Sequence, residues 1–219
     1  MTGTILSGGE NSRIPYIKGF LTIEGETIIG RSLEMLRKVF GRVVISTNSP
    51  EWYFRFGVPL IGDVRKEKGP MIGILSVLAA TGDDLFVAAC DMPFLNEGLI
   101  RFMADTFRAQ RAEGRGGCDA VVPVFRGKKE PLFAIYSVAV ARTIERMLGE
   151  GKRGLIEMLD RMNVCYIPEE EVMRFDPEGR SFVNINTMED YQRISIQRSA
   201  QRATVRSTVA DLPQRIADS

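Results

Sequence analysis

Short apolar runs alternate with stretches of helical periodicity along most of this chain, and that alternation limits the folds open to it. Gly3–Leu6 reads as a short buried strand and Arg42–Thr47 as a β-branched one. Val58–Ile61, Leu85–Ala89, Asp119–Val124, Leu132–Tyr136 and Val164–Ile167 read as further strands, and Ser181–Val183 as extended. Between them, Ile29, Leu33, Leu36 and Val39-Phe40 recur at helical spacing. So do Leu99, Phe102, Met103 and Phe107. Met71–Ala80, Ala139–Leu148 and Leu155–Met162 complete the expected helices. Strands that alternate with helices predict an α/β fold, a Rossmann-like, doubly wound, mostly parallel sheet. In such sheets ligands bind beyond the carboxyl ends of the strands.

Composition enters by exclusion. A chain of 219 residues can bury one good core, so a single domain over residues 1–194 is expected. Residues 195–219 are rich in Arg, Ser, Thr, Gln and Ala and read as a polar C-terminal tail, either a frayed helix or disordered. Lys and Arg total 29 against 28 Asp and Glu, which leaves no basic field for a nucleic-acid partner. No apolar run approaches the ~20 residues of a membrane span. Met1-Thr2-Gly3 has no basic run of the signal-peptide kind, and the chain reads as cytoplasmic. Cys90, Cys118 and Cys165 are odd in number and widely spaced, as reduced structural thiols would be. Histidine is absent. That excludes Ser-His-Asp and Cys-His mechanisms and any His-ligated zinc site.

The chemistry must then come from backbone amides, acids, lysine and arginine. Ser7, Gly8 and Gly9 follow the first strand directly, with Arg13 and Lys18 in the polar loop beyond. Backbone N–H groups at such a turn can cradle phosphates, because glycine lets an anion approach the chain. The two cations would neutralise a polyphosphate from the side. A plain strand-to-loop turn fits the same residues. Asp91 stands at the mouth of the apolar strand Leu85–Ala89, where a carboxylate suits a magnesium ion with phosphate oxygens, or else caps the next helix. Asp63 ends another strand and fits either a base edge or a solvated loop. Asn48 ends the second strand and could meet a base or build the turn before Pro50. Asn184 and Asn186 precede Thr187, an expected helix N-cap with Asp190 three residues on. Trp52, Tyr53, Phe54 and Phe56 form an aromatic run that fits a ligand-stacking patch or, more readily, cover for the sheet edge.

The order of these motifs resembles one family. Leu6-Ser7-Gly8-Gly9, Arg13, Lys18, Asn48, Asp63 with Gly69-Pro70, Cys90-Asp91-Met92-Pro93 and Phe182-Val183-Asn184-Ile185-Asn186-Thr187 together resemble the molybdenum cofactor guanylyltransferases, the MobA-like nucleotidyltransferases. The resemblance implies a sheet of the nucleotide-diphospho-sugar-transferase type. It implies transfer of GMP from GTP to molybdopterin with Mg²⁺ as cofactor. It assigns the triphosphate to Leu6, Ser7, Gly8, Gly9 and Lys18, guanine to Asn48 and Asp63, magnesium to Asp91, and the active-site neighbourhood to Asn184 and Asn186. Lys18, Arg13 and Asp91 would carry catalysis. Molybdoenzymes or cofactor chaperones follow as protein partners, with the chain a monomer or weak homo-oligomer. Pro15 and Ile17 stand where the family has a glycine and a carboxylate, which stiffens the first loop and makes it more positive. Transfer from CTP, another phosphorylated acceptor, or nucleotide binding without turnover stay open as alternatives.

Overall fold

Thr2–Leu6 forms β1, buried at every position, and the sheet is laid down on both sides of it. The computed structural model describes residues 1–8, 18–112 and 117–195. β2 (Thr22–Ile23) and β3 (Glu26–Thr27) form a small antiparallel hairpin that leads into α1 (Ile28–Val39). Then come β4 (Val43–Ser46), β5 (Leu60–Ile61), α2 (Pro70–Thr81), β6 (Leu85–Ala89) and α3 (Glu97–Ala112). The second half holds β7 (Ala120–Phe125), β8 (Lys128–Lys129), β9 (Phe133–Tyr136) and α4 (Val140–Gly149). α5 (Leu155–Leu159), β10 (Val164–Ile167) and α6 (Glu169–Met173) follow. The main sheet is ordered β10-β7-β9-β6-β1-β4-β5, with β8 on β7. β1 is parallel to β4 and β6, β5 to β4, and β10 to β7. β9 runs antiparallel between β6 and β7.

Strand alternation divides the core. Ile5, Ile45, Phe86 and Ala88 face α1 and α3, while Leu6, Val44, Leu85 and Val87 face α2 and α4. A third cluster joins Leu21, Ile23 and Ile28 to Ile185 and Ile194, so the end of the described chain packs back on the first hairpin.

Local chemistry fixes the helix starts. The Thr27 hydroxyl accepts from Gly30 N at 3.1 Å and caps α1. Asn96 Oδ1 accepts from Leu99 N at 2.9 Å at the start of α3. Asn96, not Asp91, therefore caps the helix after β6. α2 opens behind Gly69, whose φ of 133° suits glycine alone. A Cβ at Gly73 would lie 2.9 Å from Ser46 Oγ and 3.2 Å from Leu6 Cδ2, so α2 sits close on β1 and β4.

Two expected elements are corrected. Arg180–Phe182 is a 3₁₀ turn, not an extended segment. The two carboxylate oxygens of buried Asp176 accept the N–H groups of Arg180 (3.0 Å) and Ser181 (2.7 Å), and these bonds override the extended preference of Phe and Val. α5 stops at Leu159 rather than Met162, because the chain tightens there: Arg161 N bonds Met158 O and Met162 N bonds Leu159 O. Residues 188–195 are helical behind Thr187, as expected. Of the expected tail, residues 195–219, Ser195 ends this helix and the rest lies outside the described residues.

Candidate active site

Register sets the site. Leu6 pairs with both Ser46 and Ala89, so β1, β4 and β6 end level. Ser7, Asn48 and Asp91 emerge from three strand ends at one rim. The chain steps from β1 outward to β4 and β5, then returns to β6 on the other side of β1. In sheets of this kind the ligand crevice lies where the order reverses.

Leu6 itself is a core residue. Its side chain faces α2 and its carbonyl accepts from Cys90 N at 3.0 Å. Ser7 is held by a hydroxyl–hydroxyl bond to Tyr53 at 2.5 Å. Burial pushes the Tyr53 phenol up to about 12, more than the Ser7 bond lowers it, so it stays protonated. Gly8 is exposed, and a Cβ there would meet no described atom within 4 Å. Gly9 and Arg13, like Pro15 and Ile17, lie outside the described residues.

Lys18 is the hub of the site. Its Nζ donates to Asn186 Oδ1 at 2.9 Å and to Asp91 Oδ2 at 3.3 Å. The side chains of Lys18 and Asp91 are 19% and 18% exposed, so the pair is largely shielded yet reachable. The segment that brings Asn186 is fastened to Asp91 by Ile185 N, which donates to the Asp91 carbonyl at 3.0 Å. It is fastened again by Asp190, whose Oδ2 accepts from Asn186 N and Thr187 N while Thr187 Oγ1 accepts from Asp190 N. Burial raises the Asp190 carboxyl, but these hydrogen bonds and Arg193 together hold it below the usual range. Asn184 is exposed one residue before Ile185, and among the described residues its side chain makes no hydrogen bond. Burial, and then the charge of Asp91, push the Cys90 thiol up to about 11, which makes it a poor nucleophile.

Asn48 and Asp63 meet across the β4–β5 edge. Asn48 Nδ2 donates to Asp63 Oδ2 at 2.6 Å, and Asp63 N donates to Asn48 Oδ1 at 2.8 Å. The next residue is tied to α2, since Val64 N donates to Ser76 Oγ at 2.9 Å. The amide of Asn48 is thus spent on orienting Asp63.

Sequence reasoning missed two rim groups. Tyr53 is buried within the aromatic run of which Trp52 and Phe54 are exposed, and nothing in that run marks its contact with Ser7. Glu130, after Lys128-Lys129, reads as part of a charged turn.

A family model described as the MobA-like NTP transferase domain matches residues 3–164. This chain belongs to the MobA-like NTP transferase family. A probable molybdenum cofactor guanylyltransferase of Peptoclostridium acidaminophilum is 34% identical over 192 residues, covering 87% of this chain and 86% of the relative. The molybdenum cofactor guanylyltransferase of Syntrophotalea carbinolica is 30% identical over 88% of this chain and 89% of its own. Among solved structures, the molybdopterin-guanine dinucleotide biosynthesis protein A of Archaeoglobus fulgidus superposes with a TM-score of 0.77 at 30% identity. It covers 91% of this chain and 100% of its own. In this MobA-like chain Asn184 and Asn186 lie beyond the part matched by the family model. No helix among the described residues is long and apolar enough to cross a membrane.

Proposed function

We propose that this protein transfers GMP from GTP to the terminal phosphate of molybdopterin, releasing pyrophosphate and forming the guanine dinucleotide cofactor. The observation that carries this reading is the gathering of two polar clusters on one rim: Lys18 with Asp91 and Asn186, and Asn48 with Asp63. Asp63 accepts the N1–H and N2–H of guanine, and Asn48 holds it for that task. Cytosine offers a single exocyclic amine, and adenine lacks the paired donors. The exposed turn at Ser7 and Gly8 receives the phosphates, with Gly9 and Arg13 completing it.

An oxygen of the acceptor phosphate attacks the α-phosphorus of GTP, and the bond from that phosphorus to the oxygen bridging to the β-phosphate breaks. The electron pair leaves with pyrophosphate. The attacking phosphate monoester is already anionic near neutral pH, so no histidine or other base is needed. Lys18 gives its ammonium to the charge that develops on the phosphates, while Asn186 keeps it at the rim.

Magnesium fits the residues present. Among the described residues no group of three or more acidic, His or Cys side chains forms a metal cage. Mg²⁺ commonly takes one or two carboxylates together with substrate phosphates and water, and Asp91 supplies such a carboxylate. When bound, the ion neutralises phosphate charge and orients the α-phosphate.

The three thiols are free, as in a reducing compartment, and we assign the protein to the cytoplasm. Molybdoenzymes or cofactor chaperones would take the product, and a monomer or weak homo-oligomer would suffice for the reaction. Residues 1–194 would form the working domain.

Calorimetric titration with GTP, ATP and CTP, each with Mg²⁺, tests the reading. GTP should bind more tightly by about 1–3 kcal/mol, the cost of facing a carboxylate with the wrong base. Incubation with GTP and molybdopterin should yield the dinucleotide and pyrophosphate. Equal affinity for the three nucleotides, or no product, would overturn it.

A further inference from the structure

The mechanism above leaves one acidic group on the rim without a task. β9 is antiparallel to β6, so its first residues lie beside the end of β6: Phe133 pairs with Ala88, and Ala89 N donates to Leu132 O at 3.2 Å. Glu130–Phe133 is a turn closed by the bond from Phe133 N to Glu130 O, so Glu130 stays close to the start of β9, at the end of the sheet where β6 gives way to Asp91. The backbone of Glu130 is fixed on both sides. Its N–H donates to Pro123 O at 3.0 Å, and its carbonyl accepts from Phe133 N at 3.1 Å. The Asn184–Asn186 segment approaches the same strands, because the ring of Phe182 lies 5.2 Å from that of Phe125 and 5.3 Å from that of Phe133. Glu130 is thus held on the β9 side of β6, with the Asn48–Asp63 pair on the far side of β1, at the ends of β4 and β5.

Its side chain is partly buried, yet among the described residues the carboxylate accepts no hydrogen bond. Burial, only partly offset by Lys128, pushes the carboxyl up to about 7. A shielded acceptor left without a donor is costly and gains most from a ligand that brings one. The ligand's charge decides which part of it does so. Phosphate groups are repelled by a carboxylate and are drawn to Lys18. The pterin ring system of molybdopterin carries an amino group beside a ring N–H, and a carboxylate accepts from such donors.

We propose that Glu130 binds the acceptor by its ring, accepting hydrogen bonds from N–H groups of the pterin while the phosphate end lies toward Lys18 and Asn186. This rests on the guanylyltransferase reading. Glu130 then sets which phosphorylated molecule can serve as acceptor, and Asp63 sets which nucleotide can serve as donor. One acceptor molecule is oriented by two opposite charges, a cation for its phosphate and an anion for its ring.

The test measures the affinity of the full chain for hydroxymethylpterin phosphate by pterin fluorescence, for methyl phosphate by competition, and for GTP-Mg²⁺ by calorimetry. Glu130→Ala should weaken pterin phosphate binding about tenfold or more. Glu130→Gln, which keeps the shape and one acceptor oxygen, should weaken it less. GTP and methyl phosphate affinities should hold in both, which also shows that the variants are folded. Unchanged pterin phosphate affinity in both variants, or an equal loss for methyl phosphate, would overturn the assignment of Glu130. If the wild-type protein makes no dinucleotide from GTP and molybdopterin while the Glu130 effect on pterin binding stands, the guanylyltransferase reading falls and the pterin site does not.

Discussion

On the β4–β5 side of the crevice the polar groups arrive already paired: Asn48 holds Asp63 through two hydrogen bonds, Ser76 holds Val64, and Tyr53 holds Ser7. On the β9 side the backbone is just as firmly fixed, but the Glu130 carboxylate accepts no hydrogen bond among the described residues. Each side carries a carboxylate. One is oriented by a neighbour in advance, while the other awaits a donor from outside. A side chain held in advance loses little entropy when its ligand arrives, which favours discrimination between similar bases. A carboxylate without a partner stores an unmet interaction, which favours a ligand that supplies the missing donor. Between the two stands Lys18, shared by Asp91 and Asn186, to which the proposed reaction brings the phosphates.

The largest effect should come from this central cluster. Asp91→Asn keeps size and removes charge, and turnover should fall about 100- to 1,000-fold with the circular dichroism spectrum unchanged. A variant that still turned over at the wild-type rate would remove Asp91 from the chemistry. The next effect separates the two residues of the paired side. Asp63→Ala should cut the preference for GTP over CTP by about 1–3 kcal/mol, and Asn48→Ala by about half as much. If Asn48 acts only through Asp63, the double variant discriminates no worse than Asp63→Ala, and calorimetry on the four proteins decides. Additive losses would mean that Asn48 touches the base itself.

The smallest effect concerns stability on the unpaired side. The Glu130 carboxyl is pushed from its ordinary 4.5 to about 7 in the folded protein, chiefly by burial. A carboxyl whose pKa is raised by folding takes up protons on folding. Its contribution therefore favours the native state at low pH and is lost as pH rises from 4.5 to 7. Glu130→Gln should then stabilise the protein above pH 7, by about 1 kcal/mol after allowance for partial exposure, and the gain should shrink toward pH 4.5. Thermal melts at pH 5 and pH 8 measure it. An equal shift at both pH values would show that burial of the charge is not the cause.

Much of this arrangement is legible in the residue order. The apolar run Leu85–Ala89 followed by Asp91 points to a carboxylate at a strand mouth, because a buried strand must end where solvent begins. Glycines after Leu6 mark an open turn for the same reason. The direction of β9 is not legible, since Leu132–Tyr136 is equally apolar in either sense, and Glu130 stays hidden with it. Its place depends on the turn that closes on Phe133 and on which neighbour β9 then pairs with, neither of which the local pattern shows. The turn at Arg180–Phe182 escapes because its cause is the carboxylate of Asp176, which looks in the sequence like any surface acid. Tyr53 escapes because burial separates it from Trp52 and Phe54, its exposed neighbours.

The bond from Ile185 N to the Asp91 carbonyl has a consequence for how the protein comes into being. Ribosomes make this chain from the end that carries Ser7 and Gly8, and the ten strands among the described residues are complete by Ile167. Asn48 and Asp63 can therefore meet while synthesis is still under way. Lys18 must wait for Asn186, and the Asp91 carbonyl for Ile185. A chain cut short before residue 184 would keep the Asn48–Asp63 pair and lack the partner that holds Lys18, so the rim is completed only by residues translated after the last described strand.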